Sequence, residues 1–70
     1  MKKETIVNLV NELRTAKSVT QEELAEEVGV TRQTIIAIER GNYTPSVALA
    51  LKISKFFNKP LEEIFKIKYE

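Results

Sequence analysis

The sequence contains no cysteine, no histidine and no tryptophan, and only two glycines and two prolines among its 70 residues. Without cysteine there is no disulfide framework and no thiolate metal site. The absence of histidine removes the commonest general base of enzymes and the commonest nitrogen ligand of zinc. No apolar run approaches the ~20 residues of a membrane-spanning helix, and the first ten residues are too polar for a signal peptide. We therefore expect a cytoplasmic protein with no membrane partner, no metal, no cofactor and no small-molecule ligand.

The composition is that of a small globular protein. Hydrophobic residues make up 43% and charged residues 30% of the sequence, which argues against disorder. The length predicts one domain over residues 1–70, and a chain this short buries only ~60% of its unfolded surface. Packed helices and self-association are then its sources of stability. A formal net charge of +1 does not by itself indicate a nucleic-acid partner.

Apolar spacing and capping residues divide the chain into five predicted helices and one strand. Apolar residues recur at three- and four-residue steps over Thr5–Ala16, which predicts a first helix there. Thr20 and Glu23 form a capping box that begins a second helix, which ends at Val28 before Gly29. The remaining predicted elements are a third helix over 32–40 capped by Thr31, a fourth, central helix capped by Ser46 and ending at Phe57, a short fifth helix opened by Pro60 and ending at Ile64, and a strand over about 65–69.

The second and third predicted helices, over residues 21–40, meet the demands of a helix-turn-helix. This motif needs a small residue where one helix presses on the other, and Ala25 lies there. It needs a residue that tolerates positive φ in the turn, and Gly29 lies there. The inner side must be apolar, and the positions that line it are Leu24, Val28, Val30, Ile35 and Ile38.

With these positions filled, the chain resembles the Cro and phage-repressor-like (XRE-type) helix-turn-helix family along essentially its whole length. The resemblance rests on 20–25, 29–35, 38–41, 45–46 and 61–65. It is greatest to short stand-alone members with a C-terminal strand, which are typically dimeric bacterial, archaeal or phage transcription regulators. It implies an all-α, five-helix, lambda-repressor-like domain with a short C-terminal strand, and a sequence-specific double-stranded DNA-binding regulator, expected to be a nucleoid-associated repressor.

The resemblance also implies which residues read DNA. The third helix, 32–40, is expected to enter the major groove with its first residues at the base edges. Arg32 suits guanine O6 and N7, and Gln33 suits adenine N6 and N7, whereas Thr34 and Ala37 suit a thymine methyl or a sugar edge. For Arg32 the alternative is a phosphate contact. For Ala37 the alternative is that it is small only to let the groove wall approach.

Phosphate contacts are expected at the amino ends of the second and third helices and in the loop after the third. The residues expected to make them are Gln21, Thr31, Arg40, Asn42, Tyr43 and Thr44. Thr31, like Thr20, serves first as a helix cap, and Gln21 has the alternative of a solvated side chain. The resemblance further implies that Arg14 and Glu39 form a structural ion pair and do not contact DNA.

A homodimer on a palindromic operator is expected because two recognition helices read half-sites about one helical turn (~34 Å) apart. The strand 65–69 offers an edge that pairs antiparallel with a second copy and leaves the two lysines of the strand in solvent. The alternative is that its apolar residues cover the core of the monomer, and the division of residues 56 and 57 between core and interface stays open. The residues expected in the dimer interface are Phe65, Ile67 and Tyr69.

The residues also bear on two other classes of function. An enzyme is disfavoured because the neighbouring glutamates at 22–23 and 62–63 point about 100° apart on a helix and do not face one reacting group. A protein-interaction module on the same fold, antitoxin-like or binding polymerase or a sigma factor, is the remaining alternative. Polar residues at 32–34 favour DNA. Over 28–46 the only charged residues are Arg32, Glu39 and Arg40, which leaves a weak positive charge if Glu39 is paired internally.

Overall fold

A computed structural model describes residues 3–69 of the chain as five helices and a two-stranded sheet. The predicted five-helix fold with a C-terminal strand is confirmed, and the sheet contains a second strand that was not predicted. The elements in chain order are β1 (Glu4–Asn8), α1 (Val10–Ala16), α2 (Gln21–Val28), α3 (Arg32–Glu39), α4 (Val47–Phe57), α5 (Leu61–Ile64) and β2 (Phe65–Tyr69). No helix in this range is long and apolar enough to span a bilayer.

The first predicted helix is wrong over its first half. Residues Glu4–Asn8 form strand β1, and α1 begins only at Val10. The run of β-branched side chains at 5–7 favours an extended backbone, and β1 finds its hydrogen-bonding partner about 60 residues later, in β2. Local apolar spacing fits either a helix or a strand here, and the distant partner decides between them.

The pairing of β1 with β2 also corrects the expectation of a lone C-terminal strand. The two strands are antiparallel, with Ile6 opposite Ile67 at the centre of the register. One edge of β2 is therefore occupied within the chain, and only its other edge is open. Lys66 and Lys68 are exposed, as are Ile67 and Tyr69, whereas Phe65 is half-buried.

The core lies between the helices. Six side chains in it have less than 2% of their surface exposed: Val10, Leu24, Ile35, Ile38, Ile53 and Ile64. α4 contributes four buried residues to the core, in agreement with its predicted central place. Phe57 belongs to this core, while Phe56 is half-buried and its ring meets that of Phe57 edge to face at 5.1 Å.

The predicted caps are present at the helix ends. The Thr20 hydroxyl accepts from the Glu23 amide at 3.0 Å while the Glu23 carboxylate accepts from the Thr20 amide at 2.9 Å. The Thr31 and Ser46 hydroxyls accept from the amides three residues on, at 3.4 and 3.1 Å. These bonds satisfy amide groups that a helix leaves without an internal partner.

Candidate nucleic-acid interface

The turn between α2 and α3 sets the angle of α3. Gly29 has φ = 76°, a left-handed conformation that glycine adopts without strain. The Val30 amide then bonds the Ala25 carbonyl at 2.9 Å and closes the turn. Because Leu24 and Ala25 are buried on one side and Ile35 on the other, α3 is fixed against α2 with its opposite side free.

The free side of α3 carries the main candidate for base reading. Successive helical residues are about 100° apart, and the buried Ile35 and Ile38 define the inner side. The side directly opposite carries Gln33 and Arg40, both exposed, with the half-buried Ala37 beside them. The helix therefore presents an amide, a small apolar side chain and a guanidinium along one outward line.

Arg32 and Thr34 lie on either side of this line. The exposed Arg32 side chain borders two shallow polar clefts that it shares with Gln21 at the start of α2. Thr34 is half-buried, and its hydroxyl lies 3.2 Å from the Thr31 hydroxyl. Within residues 3–69, neither the Arg32 nor the Arg40 guanidinium has a hydrogen-bond or ion-pair partner, so both cations are available to an anion.

The single acid of α3, Glu39, is held in a network that joins three helices. Arg14 Nε lies 2.7 Å from Glu39 Oε2, and Arg14 Nη2 donates to Oε1 at 3.2 Å. Asn11 and Gln21 each donate a side-chain amide to the same Oε1 at 3.0 Å. The Arg14 guanidinium also donates to the Val19 carbonyl at 2.9 Å. The two ionised side chains are only 13% and 5% exposed, so the negative charge is withdrawn from the outer surface.

The protonation of this pair follows from its contacts. Burial raises the pKa of the Glu39 carboxyl, but hydrogen bonds from Arg14, Asn11 and Gln21 together with the Arg14 charge outweigh it, and the net pKa is lowered. The hydrogen bond to Glu39 raises the pKa of Arg14. The lowered pKa keeps Glu39 deprotonated and the raised pKa keeps Arg14 protonated, so both shifts keep the pair ionised.

The residues expected at phosphates surround this surface. Gln21 donates its side-chain amide to Glu39, so it is a structural residue in the free chain, half-buried and not simply solvated. Thr31 acts as a cap. The loop after α3 turns at Gly41, which has φ = 77°. Following the exposed Arg40, it carries three more exposed side chains: Asn42, Tyr43 and Thr44.

Three residues of this region were not anticipated. Asn11 completes the bonding of Glu39, and Asn8 donates to the Ile38 carbonyl at 2.9 Å while accepting from the Val10 amide at 3.1 Å. The partners that give the two asparagines these roles, Ile38 and Glu39, are distant from them in sequence. Ile36 is half-buried, on the outward half of α3. The sequence could have indicated Ile36, because Ile35 and Ile38 already fill the inner side of α3 and leave the third isoleucine on its outer half.

Comparison with known proteins identifies the family to which this arrangement of helices belongs. The helix-turn-helix family model HTH_3 matches residues 10–64. The chain belongs to the helix-turn-helix family of transcriptional regulators. It is 52% identical over 63 residues to the uncharacterized HTH-type transcriptional regulator YgzD of Bacillus subtilis, covering 90% of this chain and 96% of that one. It is 33% identical over 55 residues to the cryptic phage CTXphi transcriptional repressor RstR of Vibrio cholerae, covering 79% and 50%.

A solved structure supports the same fold for this helix-turn-helix regulator. The restriction-modification controller protein C.AhdI of Aeromonas hydrophila superposes with a TM-score of 0.71 at 35% identity, covering 77% of this chain and 82% of that one. The family match begins at Val10 and ends at Ile64. The regulator therefore has its family-defining segment in α1–α5, and the two strands lie outside that segment.

Proposed function

We propose that this regulator binds duplex DNA sequence-specifically as a homodimer, with α3 in the major groove, and that it acts in the cytoplasm on the nucleoid as a repressor. The observation that carries the proposal is the withdrawal of Glu39 from the surface by Arg14, Asn11 and Gln21. The outward side of α3 then carries neutral hydrogen-bonding groups and two unpaired arginines, and no exposed acid that would repel the phosphates of DNA. Repression is proposed on the likeness to RstR.

Each residue on this surface has a proposed role. Gln33 reads a base at the centre of the outward line, and Arg32 reads a guanine or takes a phosphate beside Gln21. Thr34 and Ala37 contact a thymine methyl or sugar edge, and Ile36 adds apolar surface for a second methyl. Phosphates are bound by the ends of α2 and α3 and the following loop, through Gln21, Thr31, Arg40, Asn42, Tyr43 and Thr44.

The test is selection from a random duplex pool, followed by titration of the best site with wild type and Gln33→Ala. We expect a palindrome with half-sites about 34 Å apart. Gln33→Ala should lose about 1–3 kcal/mol of discrimination at one symmetric base position, whereas Arg40→Ala should weaken all sequences alike and lower the salt slope by about 1. Glu26→Ala, an exposed change on the outer side of α2, serves as the matched control.

The outcome against the proposal is equally specific. If no sequence is enriched and wild type and Gln33→Ala bind duplex equally weakly, α3 does not read DNA. The same helix face would then belong to a protein-interaction module. Dimerisation through Phe65, Ile67 and Tyr69 is a separate part of the proposal, which this result would leave untouched.

A further inference from the structure

Strand β1 lies beside the end of α3. A shallow groove is lined on one side by Thr5–Asn8 of β1 and on the other by the last residue of α3 and the two that follow it, Arg40 and Gly41. The two elements also bond directly, because the Asn8 side-chain amide donates to the Ile38 carbonyl at 2.9 Å. The two-stranded sheet therefore adjoins the surface on which the exposed Arg40 lies.

The two faces of the sheet differ in charge. Directly opposed residues of an antiparallel pair project to the same face, and successive residues of a strand alternate between faces. The register sets Val7 opposite Lys66 and Thr5 opposite Lys68, so one face carries both lysines. Glu4, the one acid of the two strands, belongs to the other face by the same alternation. We call the face formed by Thr5, Val7, Lys66 and Lys68 the lysine face.

Both cations of the lysine face are free. The Lys66 and Lys68 side chains are exposed, and in the described part of the chain neither ammonium group has a hydrogen-bond or ion-pair partner. Lysines on an edge strand discourage pairing with another strand, which accounts for their exposure but not for their place beside Arg40. The outward side of α3 offers two unpaired cations, and the lysine face adds two more.

We propose that the lysine face binds the phosphate backbone of the duplex beside the segment that α3 reads. Residues two apart in an antiparallel strand are about 6.8 Å apart, and each DNA strand carries one phosphate per about 3.4 Å of helix axis. Lys66 and Lys68 are therefore spaced to contact two phosphates of one strand. The inference rests on the proposed DNA binding, and it gives a role to the sheet, which lies outside the family-defining segment.

The lysine face stays uncovered in the proposed dimer. The three residues of β2 proposed for the dimer interface, Phe65, Ile67 and Tyr69, alternate with the two lysines along the strand. They therefore project from the opposite face of the sheet. One short strand can then serve the dimer with one face and the duplex with the other.

Another group of lysines, on α4, has different neighbours. Lys52 and Lys55 are exposed, but they line a cleft together with Glu27 and the ring of Phe56. A carboxylate in the same cleft repels a phosphate, and none of these four residues belongs to α3 or to the groove beside it. The α4 lysines are therefore a matched control, with the same number of charges in a different place.

The test is a titration of the selected site and of a random duplex of equal length at several salt concentrations. Lys66→Gln combined with Lys68→Gln should weaken binding to both duplexes by the same factor, at least about tenfold at 0.1 M salt, and should lower the salt slope by about 2 per subunit. Lys52→Gln combined with Lys55→Gln removes the same charge and should change affinity much less. Lys66→Arg combined with Lys68→Arg should retain wild-type affinity. Circular dichroism and sedimentation check that each variant keeps its fold and oligomeric state.

Three outcomes would overturn the inference. If the two glutamine pairs change affinity and salt slope equally, the lysine face does not contact the backbone. If the arginine pair loses as much as the glutamine pair at 66 and 68, or if that glutamine pair changes the oligomeric state, the lysines act on the structure of the protein. If the glutamine pair alters the preference at a single base position, the face does not bind phosphates alone.

Failure of this inference is distinguishable from failure of the proposed function. A wild type that selects a palindrome while the two glutamine pairs behave alike keeps base reading by α3 and loses only the lysine face. A wild type that enriches no sequence, but whose binding to random duplex depends on Lys66 and Lys68, loses base reading and keeps the lysine face. A wild type that binds no duplex refutes both.

Discussion

In the helix-turn-helix, Leu24, Ile35 and Ile38 have no exposed surface, whereas in the two-stranded sheet Ile67 and Tyr69 remain more than half exposed. The polar groups differ in the same way. Glu39 receives donors from three side chains, while Lys66 and Lys68 project into solvent. The helix-turn-helix is thus complete within one chain, and the sheet carries apolar surface that one chain does not cover. Buried contacts are concentrated where α3 packs, and exposed apolar area is concentrated in the sheet.

The largest expected effect comes from breaking the polar network. Glu39→Ala leaves the 13% exposed Arg14 guanidinium with only the Val19 carbonyl, and removal of one partner of a buried pair costs about 3–5 kcal/mol. We expect urea unfolding to show that loss in the free energy of unfolding. Arg14→Met combined with Glu39→Leu should recover much of it, because no charge is then stranded. A loss below about 1 kcal/mol for Glu39→Ala would contradict a structural role for the pair.

The second prediction compares an apolar residue of each region. Leu24→Ala opens a cavity in the core and should lower the free energy of unfolding by about 3 kcal/mol. Ile67→Ala removes a half-exposed side chain and should cost about 0.5 kcal/mol in dilute, monomeric protein. Chemical denaturation of both variants measures the difference. Equal losses would mean that the sheet is as fully packed as the helices.

The third prediction concerns pH. The folded-state pKa of Glu39 is lowered, so its contribution to stability is present above its unfolded pKa and is lost as pH falls through the folded value. We expect the free energy of unfolding of wild type to fall between about pH 5 and pH 3 more steeply than that of Glu39→Gln, by at most about 1.4 kcal/mol per pH unit. Parallel profiles for the two proteins would show that Glu39 is not the titrating group.

The last prediction concerns the cap at the start of α2. Thr20→Ala removes the hydroxyl that accepts from the Glu23 amide and should cost about 1 kcal/mol. Thr20→Ser keeps an acceptor in place and should cost much less, which makes it the matched control. Thermal unfolding of the two variants measures the difference. If Thr20→Ser loses as much as Thr20→Ala, the threonine methyl and not the cap is responsible.

Local signals in the sequence determined the helix-turn-helix and its boundaries. Caps at Thr20, Thr31 and Ser46, the turn at Gly29 and the spacing of Ile35 and Ile38 all act within a few residues of one another. Such interactions form in the same way whatever the rest of the chain does. This is why α2, α3 and α4 could be predicted and why the outward residues of α3 followed from them.

Tertiary structure alone decided the features that depend on distant partners. Glu4–Asn8 is a strand because β2 bonds to it, although its apolar spacing also fits a helix. Asn11 and Gln21 are structural because α3 brings Glu39 to both of them. Val47 and Phe65 line one apolar groove because the fold brings them together, and neither residue marks a surface by itself. Sequence fixes what neighbours along the chain can do, while pairing across the chain depends on where the whole fold brings its parts together.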